Sequence, residues 1–125
     1  IMLLDNLYHI VEQEIGEQTL TTTIALHTTH PIFEGHFPGQ PILPGVCQTQ
    51  MCVELFNALT KQNLVLTGAS VMKFLSFINP NVNPQLTFKL DWTIQEKGVV
   101  LNAVISAEGT VFLKFKGDLS TEYSS

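Results

Sequence analysis

A histidine held in a proline-rich loop just ahead of a helix start is the arrangement in this sequence best suited to chemistry. The stretch from His30 to Lys61 reads HPIFEGHFPGQPILPGVCQTQMCVELFNALTK. Its first half places His36 among Pro31, Pro38, Pro41 and Pro44, with Gly35, Gly39 and Gly45 between them. Its second half then runs without Gly or Pro for about four helical turns. Pro44 and Gly45 stand where that helix should begin, because proline lacks an N–H that would have no intrahelical partner there. The N–H groups of such a first turn can hold a developing negative charge. Further along, Gln50, Glu54 and Asn57 form a narrow polar stripe ending at Lys61. Opposite lies a broad apolar surface of Cys47, Met51, Cys52, Leu55, Phe56, Ala58 and Leu59. Taken alone, the stripe reads as a solvated face.

Strands must hold this loop and helix in place. Leu7 to Glu14 and Thr19 to His27 read as a β-hairpin turning at Gly16. In its second arm Leu20, Thr22, Ile24 and Leu26 share one face. Asn63 to Phe77 is apolar almost throughout, which predicts a strand buried on both faces, at a sheet centre or a subunit boundary. Asn79 to Pro84 is a turn cluster. From Gln85 the alternation is clearest, with Leu86, Phe88, Leu90, Trp92 and Ile94 on one face. Lys97-Gly98 and Glu108-Gly109 then turn the chain into Val99 to Ser106 and Thr110 to Lys116, and the polar tail after Asp118 frays. A run of strands with one embedded helix predicts an α+β fold, as a single domain over residues 1–125.

Composition narrows the function classes. Charged residues make up 14% of the chain, against about 25% in an average soluble protein. Part of the surface is therefore expected to lie against another subunit. The net charge of −5, with no arginine, argues against nucleic acid as a partner. No apolar run approaches the roughly 20 residues of a membrane span, and Asp5 comes too early for a signal peptide. Cys47 and Cys52 read as buried thiols of a reduced, cytoplasmic protein. Four scattered histidines and two cysteines without an HxxxH or CxxC pattern predict no metal, and nothing calls for a cofactor. His30 reads as a loop residue bonding backbone, and His9 and His27 as strand residues.

The run His36-Phe37-Pro38-Gly39-Gln40-Pro41-Ile42-Leu43-Pro44-Gly45-Val46 resembles the signature of the β-hydroxyacyl-acyl carrier protein dehydratases (the FabZ/FabA-like family). That resemblance implies a hotdog fold, an antiparallel β-sheet wrapped around one long central α-helix. It implies dehydration of (R)-3-hydroxyacyl thioesters to trans-2-enoyl thioesters in fatty acid or related acyl chain biosynthesis. His36 matches the family's catalytic histidine, whose neutral imidazole suits a base near neutral pH. Gly45 matches the oxyanion donor, with Val46 beside it. The family's acid is a carboxylate fourteen residues after the histidine, donated by the partner subunit of a dimer, and here that position holds Gln50. Many relatives carry Gln one turn later, where this chain has Glu54, so the two types look exchanged. An amide cannot give up a proton as a carboxylic acid does. Side chains at i and i+4 share a face, so Glu54 is expected to reach towards the level of Gln50.

Three functions stay open at this point: a dehydratase completed by Glu54 or by a water held on Gln50, a hotdog thioesterase, and a non-catalytic acyl-binding or partner subunit. Phe33, Phe74, Phe77, Leu75 and Val71 are candidates for an acyl tunnel, or for plain core. The substrate is expected on an acyl carrier protein, docked on a lysine patch including Lys61, Lys73 or Lys89, or else on coenzyme A. The assembly is expected to be a homodimer or larger, with active sites shared across its interface.

Overall fold

A computed structural model describes residues 2–34 and 39–121. Its elements follow in the order β1 (Tyr8–Ile15), β2 (Thr19–Leu26), a 3-10 turn (Pro31–Phe33), α1 (Gly45–Thr60), β3 (Val65–Phe74), β4 (Gln85–Gln95), β5 (Gly98–Ala107) and β6 (Thr110–Ser120). The strands form one six-stranded antiparallel sheet in the order β1-β2-β4-β5-β6-β3. Helix α1 packs on its inner face. This is the hotdog architecture, an α+β fold.

Period-two patterning sets which face is inside. Leu20, Thr22, Ile24 and Leu26 of β2 are buried, and so are Leu86, Phe88, Leu90 and Trp92 of β4. Thr22 survives in the core because its hydroxyl donates to the Glu12 carbonyl at 2.8 Å. Ile94 continues the alternation but is exposed, since it lies beyond the part of the sheet that the helix covers. Against this face α1 buries Cys47, Met51, Cys52, Leu55 and Phe56. The Phe56 ring meets Trp92 edge-on, with centroids 5.1 Å apart and an interplanar angle of 83°.

Strand β3 departs from the sequence expectation. It is not central: it lies at the sheet edge, paired with β6 alone, and its ladder breaks register twice, between Leu66 and Gly68 and between Ala69 and Val71. Met72 and Phe74, with Leu75 and Phe77 just beyond, remain exposed in the single chain. An unbroken apolar run signals two faces that avoid water, but it does not say that the same chain covers them.

The ends of α1 are fixed differently. Pro44 occupies the N-cap position in extended conformation and supplies no side-chain cap. The loop before it is tied down by the Leu43 N–H, which donates to the Ile78 carbonyl at 2.9 Å. At the other end Lys61 takes the left-handed conformation, φ 57°. There the Asn57 amide grips Leu64 twice, donating to its carbonyl at 2.9 Å and accepting from its N–H at 3.0 Å. Asn57 is thus a clamp between helix and β3.

Replacing Phe56 by Ala should remove about 3–5 kcal/mol of stability. Trp92 is the only tryptophan, so its emission should shift to the red in the same variant. Urea unfolding followed by fluorescence checks both.

Candidate active site

The helix start is open to a ligand. Among the described residues, no hydrogen bond engages the N–H groups of Gly45 and Val46, whereas those of Cys47 and Gln48 already point back to the Pro44 carbonyl, each at 3.1 Å. The Val46 side chain is exposed. A Cβ on Gly45 would stand 2.7 Å from Cζ of Phe74, so the end of that ring would have to shift to admit a side chain. The ring at the end of β3 therefore lies directly over the first turn of α1. Beside it opens a cavity of about 510 Å³ lined by Ile42, Leu43, Pro44, Gly45, Gln48, Phe74, Ser76 and Phe77. An apolar chamber next to two unengaged N–H groups can hold a carbonyl with an apolar tail behind it.

The polar stripe of α1 has become an interior network. The Glu54 carboxylate is buried and accepts four hydrogen bonds. The Leu3 N–H donates at 2.7 Å and the Leu4 N–H at 3.0 Å; the Tyr8 hydroxyl and Gln50 Nε2 donate at 3.0 Å each. Burial, then the adjacent Glu54 carboxylate, pushes the Tyr8 hydroxyl far above its ordinary range, so it stays a donor. Glu54 was expected to reach towards the level of Gln50, and it does so through the bond from the Gln50 amide. Its other three contacts lie on the N-terminal segment and β1, so both carboxylate oxygens are engaged as acceptors. Gln50, half-buried one turn earlier, has its amide orientation set by that contact.

The remaining expected residues separate. Phe33 belongs to the hydrophobic core and not to the cavity wall, because the 3-10 turn points it inward. Phe74 and Phe77 do line the cavity, while Leu75 and Val71 do not. His36 lies outside the described residues. Burial, with Glu54 second, raises the Cys47 thiol, and burial pushes the Cys52 thiol still further. Both thiols therefore stay protonated and unreactive at neutral pH. No group of three or more His, Cys, Asp and Glu suited to a metal occurs among the described residues.

Two features were not anticipated from sequence. One is Gln48, buried within the face taken as apolar. The other is a chain of histidines. His9 Nδ1 meets His27 Nε2 at 2.9 Å, and His27 Nδ1 meets the Asn6 carbonyl at 2.7 Å. His30 Nε2 meets Asn6 Oδ1 at 2.9 Å, and the Ile32 N–H donates to His30 Nδ1 at 3.0 Å. These partners assign the protons: His27 donates from Nδ1, and His30 accepts at Nδ1 while donating from Nε2. His30 is thereby the cap of the turn leading into the loop, a loop residue bonding backbone as expected. The hairpin register, with His9 opposite Ala25, would have put His9 diagonally across from His27.

With this geometry in view, comparison with known protein families matches residues 12–116 to the ApeI-like family, described as ApeI dehydratase. The chain belongs to the ApeI-like dehydratase family. Among individual relatives of this ApeI-like chain, the 3-hydroxyacyl-[acyl-carrier-protein] dehydratase FabZ of Streptococcus thermophilus is 30% identical over 105 residues, covering 78% of this chain and 71% of the relative. FabZ of Zymomonas mobilis is 29% identical over 92 residues, covering 70% of this chain. The chain spans 58% of that relative's length, and 64% of FabZ from Rhizorhabdus wittichii. Among solved structures, the dehydratase heterocomplex ApeI:P from Xenorhabdus doucetiae aligns with TM-score 0.71 at 21% identity, covering 89% of this chain and 96% of that one. A hypothetical thioesterase with coenzyme A from Streptococcus pneumoniae aligns with TM-score 0.65 at 14% identity, covering 97% of this chain and 94% of that one. These structural likenesses establish the hotdog fold. No described helix of this family member is long and apolar enough to cross a membrane.

In this ApeI-like chain, Glu54→Gln replaces one accepting oxygen by an NH2 group facing donors. It should lower stability by about 1–3 kcal/mol. Chemical denaturation should show this as a lower midpoint with unchanged slope.

Proposed function

We propose that this chain dehydrates (R)-3-hydroxyacyl thioesters, carried on an acyl carrier protein, to trans-2-enoyl thioesters in fatty acid or related acyl chain biosynthesis. The observation that carries this reading is the pair of unengaged N–H groups at Gly45 and Val46 beside the apolar cavity under Phe74. The loop motif from His36 to Val46 supplies the base next to it in sequence. The thioester carbonyl sits at the helix start, where N–H donors and the helix dipole steady the enolate that forms. His36 takes a proton from the carbon beside the carbonyl. The electron pair closes a double bond to the next carbon, and the hydroxyl leaves as water once it has been protonated. Gln50 cannot supply that proton, so the His36 imidazolium returns the one it took, through a water held on the Gln50 amide, with Glu54 fixing the amide as a positioning residue.

Two further parts follow from the surface. The exposed apolar residues along and beyond β3 suit a subunit interface, and a homodimer with shared sites covers them. For the carrier, Lys73 lies directly opposite Lys114, and Lys114 aligns through Val104 with Lys89. Facing cross-strand lysines repel one another, and an acidic carrier relieves that repulsion. Lys61, at the end of the helix, is not in this row.

A specific observation favours one alternative. With Gln50 in the acid's position and Glu54 committed to the N-terminal segment, a second hotdog subunit could bring the missing carboxylate. The Xenorhabdus relative is itself a dehydratase heterocomplex.

Intact-mass measurement of a 3-hydroxyacyl-acyl carrier protein incubated with the purified protein separates the readings. Loss of one water supports the dehydratase. Loss of the whole acyl group means a thioesterase. No change, with activity appearing in Gln50→Glu, means a subunit that needs its acid from elsewhere. For the docking surface, Lys73→Glu with Lys114→Glu should raise KM for the carrier-bound substrate about tenfold and leave KM for the pantetheine thioester unchanged. Equal KM values for wild type and variant on the carrier would remove this surface from the proposal.

A further inference from the structure

Gln48 is 3% exposed, and its two amide atoms are treated very differently by the fold. Nε2 donates to the Leu43 carbonyl at 3.1 Å. Because a carbonyl can only accept, this contact fixes which end of the amide is nitrogen. Oε1 is then left as the one buried side-chain acceptor without a hydrogen-bond partner among the described residues. A buried acceptor left unpaired is costly, and native structures seldom keep one without use. Gln48 also lines the cavity at the helix start, whose other walls are apolar apart from Ser76 and the backbone. It lies one turn from Gly45, and helix side chains lean towards the N-terminus, so its amide stands near the level of the unengaged N–H groups. Oε1 itself has almost no accessible surface, so a donor lodged in the cavity reaches it only when the amide turns about its broad terminal torsion.

We infer that Gln48 Oε1 accepts a hydrogen bond from the 3-hydroxyl of a hydroxyacyl thioester lodged in this cavity, making Gln48 the residue that tells substrate from product. The inference rests on the thioester reading of the site and deepens it. On the acyl group the 3-hydroxyl is the only hydrogen-bond donor. A hydroxyl that gives its proton to Oε1 keeps its oxygen lone pairs for the proton that turns it into a leaving water. After elimination the enoyl product has no donor, and Oε1 loses its partner. The site then holds product less tightly than substrate, which favours release.

The test uses two amide analogues of the substrate that cannot lose water under the assay conditions, (R)-3-hydroxydecanoyl and decanoyl pantetheine amide, titrated calorimetrically. Wild type should bind the hydroxylated analogue roughly 5- to 50-fold more tightly. Gln48→Met, and separately Gln48→Leu, should bring the two affinities together while leaving the decanoyl affinity within about twofold. Equal affinities in wild type, or a preference that survives in both variants, would overturn the role of Gln48 while leaving the acyl site standing. Failure of wild type to bind either analogue would overturn the inference together with the thioester reading beneath it.

Discussion

The carboxylate of Glu54 is the point through which three parts of the chain are joined. It takes N–H groups from Leu3 and Leu4, a hydroxyl from β1, and an amide from one turn earlier on its own helix. A charge buried this deeply is tolerated only when its lone pairs are used, and here four donors converge on two oxygens. Among the described residues, the four donors to this carboxylate are backbone N–H groups, a hydroxyl and an amide, and none is a lysine. Helix α1 is therefore held in rotation as well as in position. The rotation of α1 decides where Gly45, Gln48 and Gln50 face.

This arrangement also explains how a carboxylate and an amide can exchange places along one helix without loss of the fold. The motif resemblance puts a carboxylate at the position of Gln50. Here a carboxylate stands one turn later, at Glu54, and accepts from the N-terminal segment. The amide left behind is held by it.

Much of the fold could be read from residue order because period-two burial writes itself directly into sequence. The threonine-rich arm of the hairpin and the run from Leu86 to Trp92 are the clearest cases. The helix start could be read from Pro44-Gly45 for a local steric reason. What could not be read depends on distant partners. Three of the four donors to Glu54 lie 46 to 51 positions away, and two of them are backbone groups carrying no residue signature. Gln48 was hidden because a helix face is judged by its majority, and its neighbours are apolar. Strand β3 was left between a sheet centre and a subunit boundary, and only the first is excluded by its edge position, because hydrophobicity reports how much water a segment avoids, not which molecule shields it. The site followed the same division. Of the aromatic residues offered for the tunnel or the core, Phe74 lies against Gly45, whereas Phe33 went to the core.

The contact between Phe74 and Gly45 joins the edge of the sheet to the start of the helix through one ring. On the proposed reading, that ring is common to two surfaces: the β3 edge, where another chain would align, and the N–H groups, where an anion would rest. Reciprocity follows by thermodynamic necessity. If occupation of one surface shifts the ring so as to alter affinity at the other, the second alters affinity at the first by the same factor. Ligand affinity in this molecule is therefore expected to vary with protein concentration, and self-association with ligand concentration.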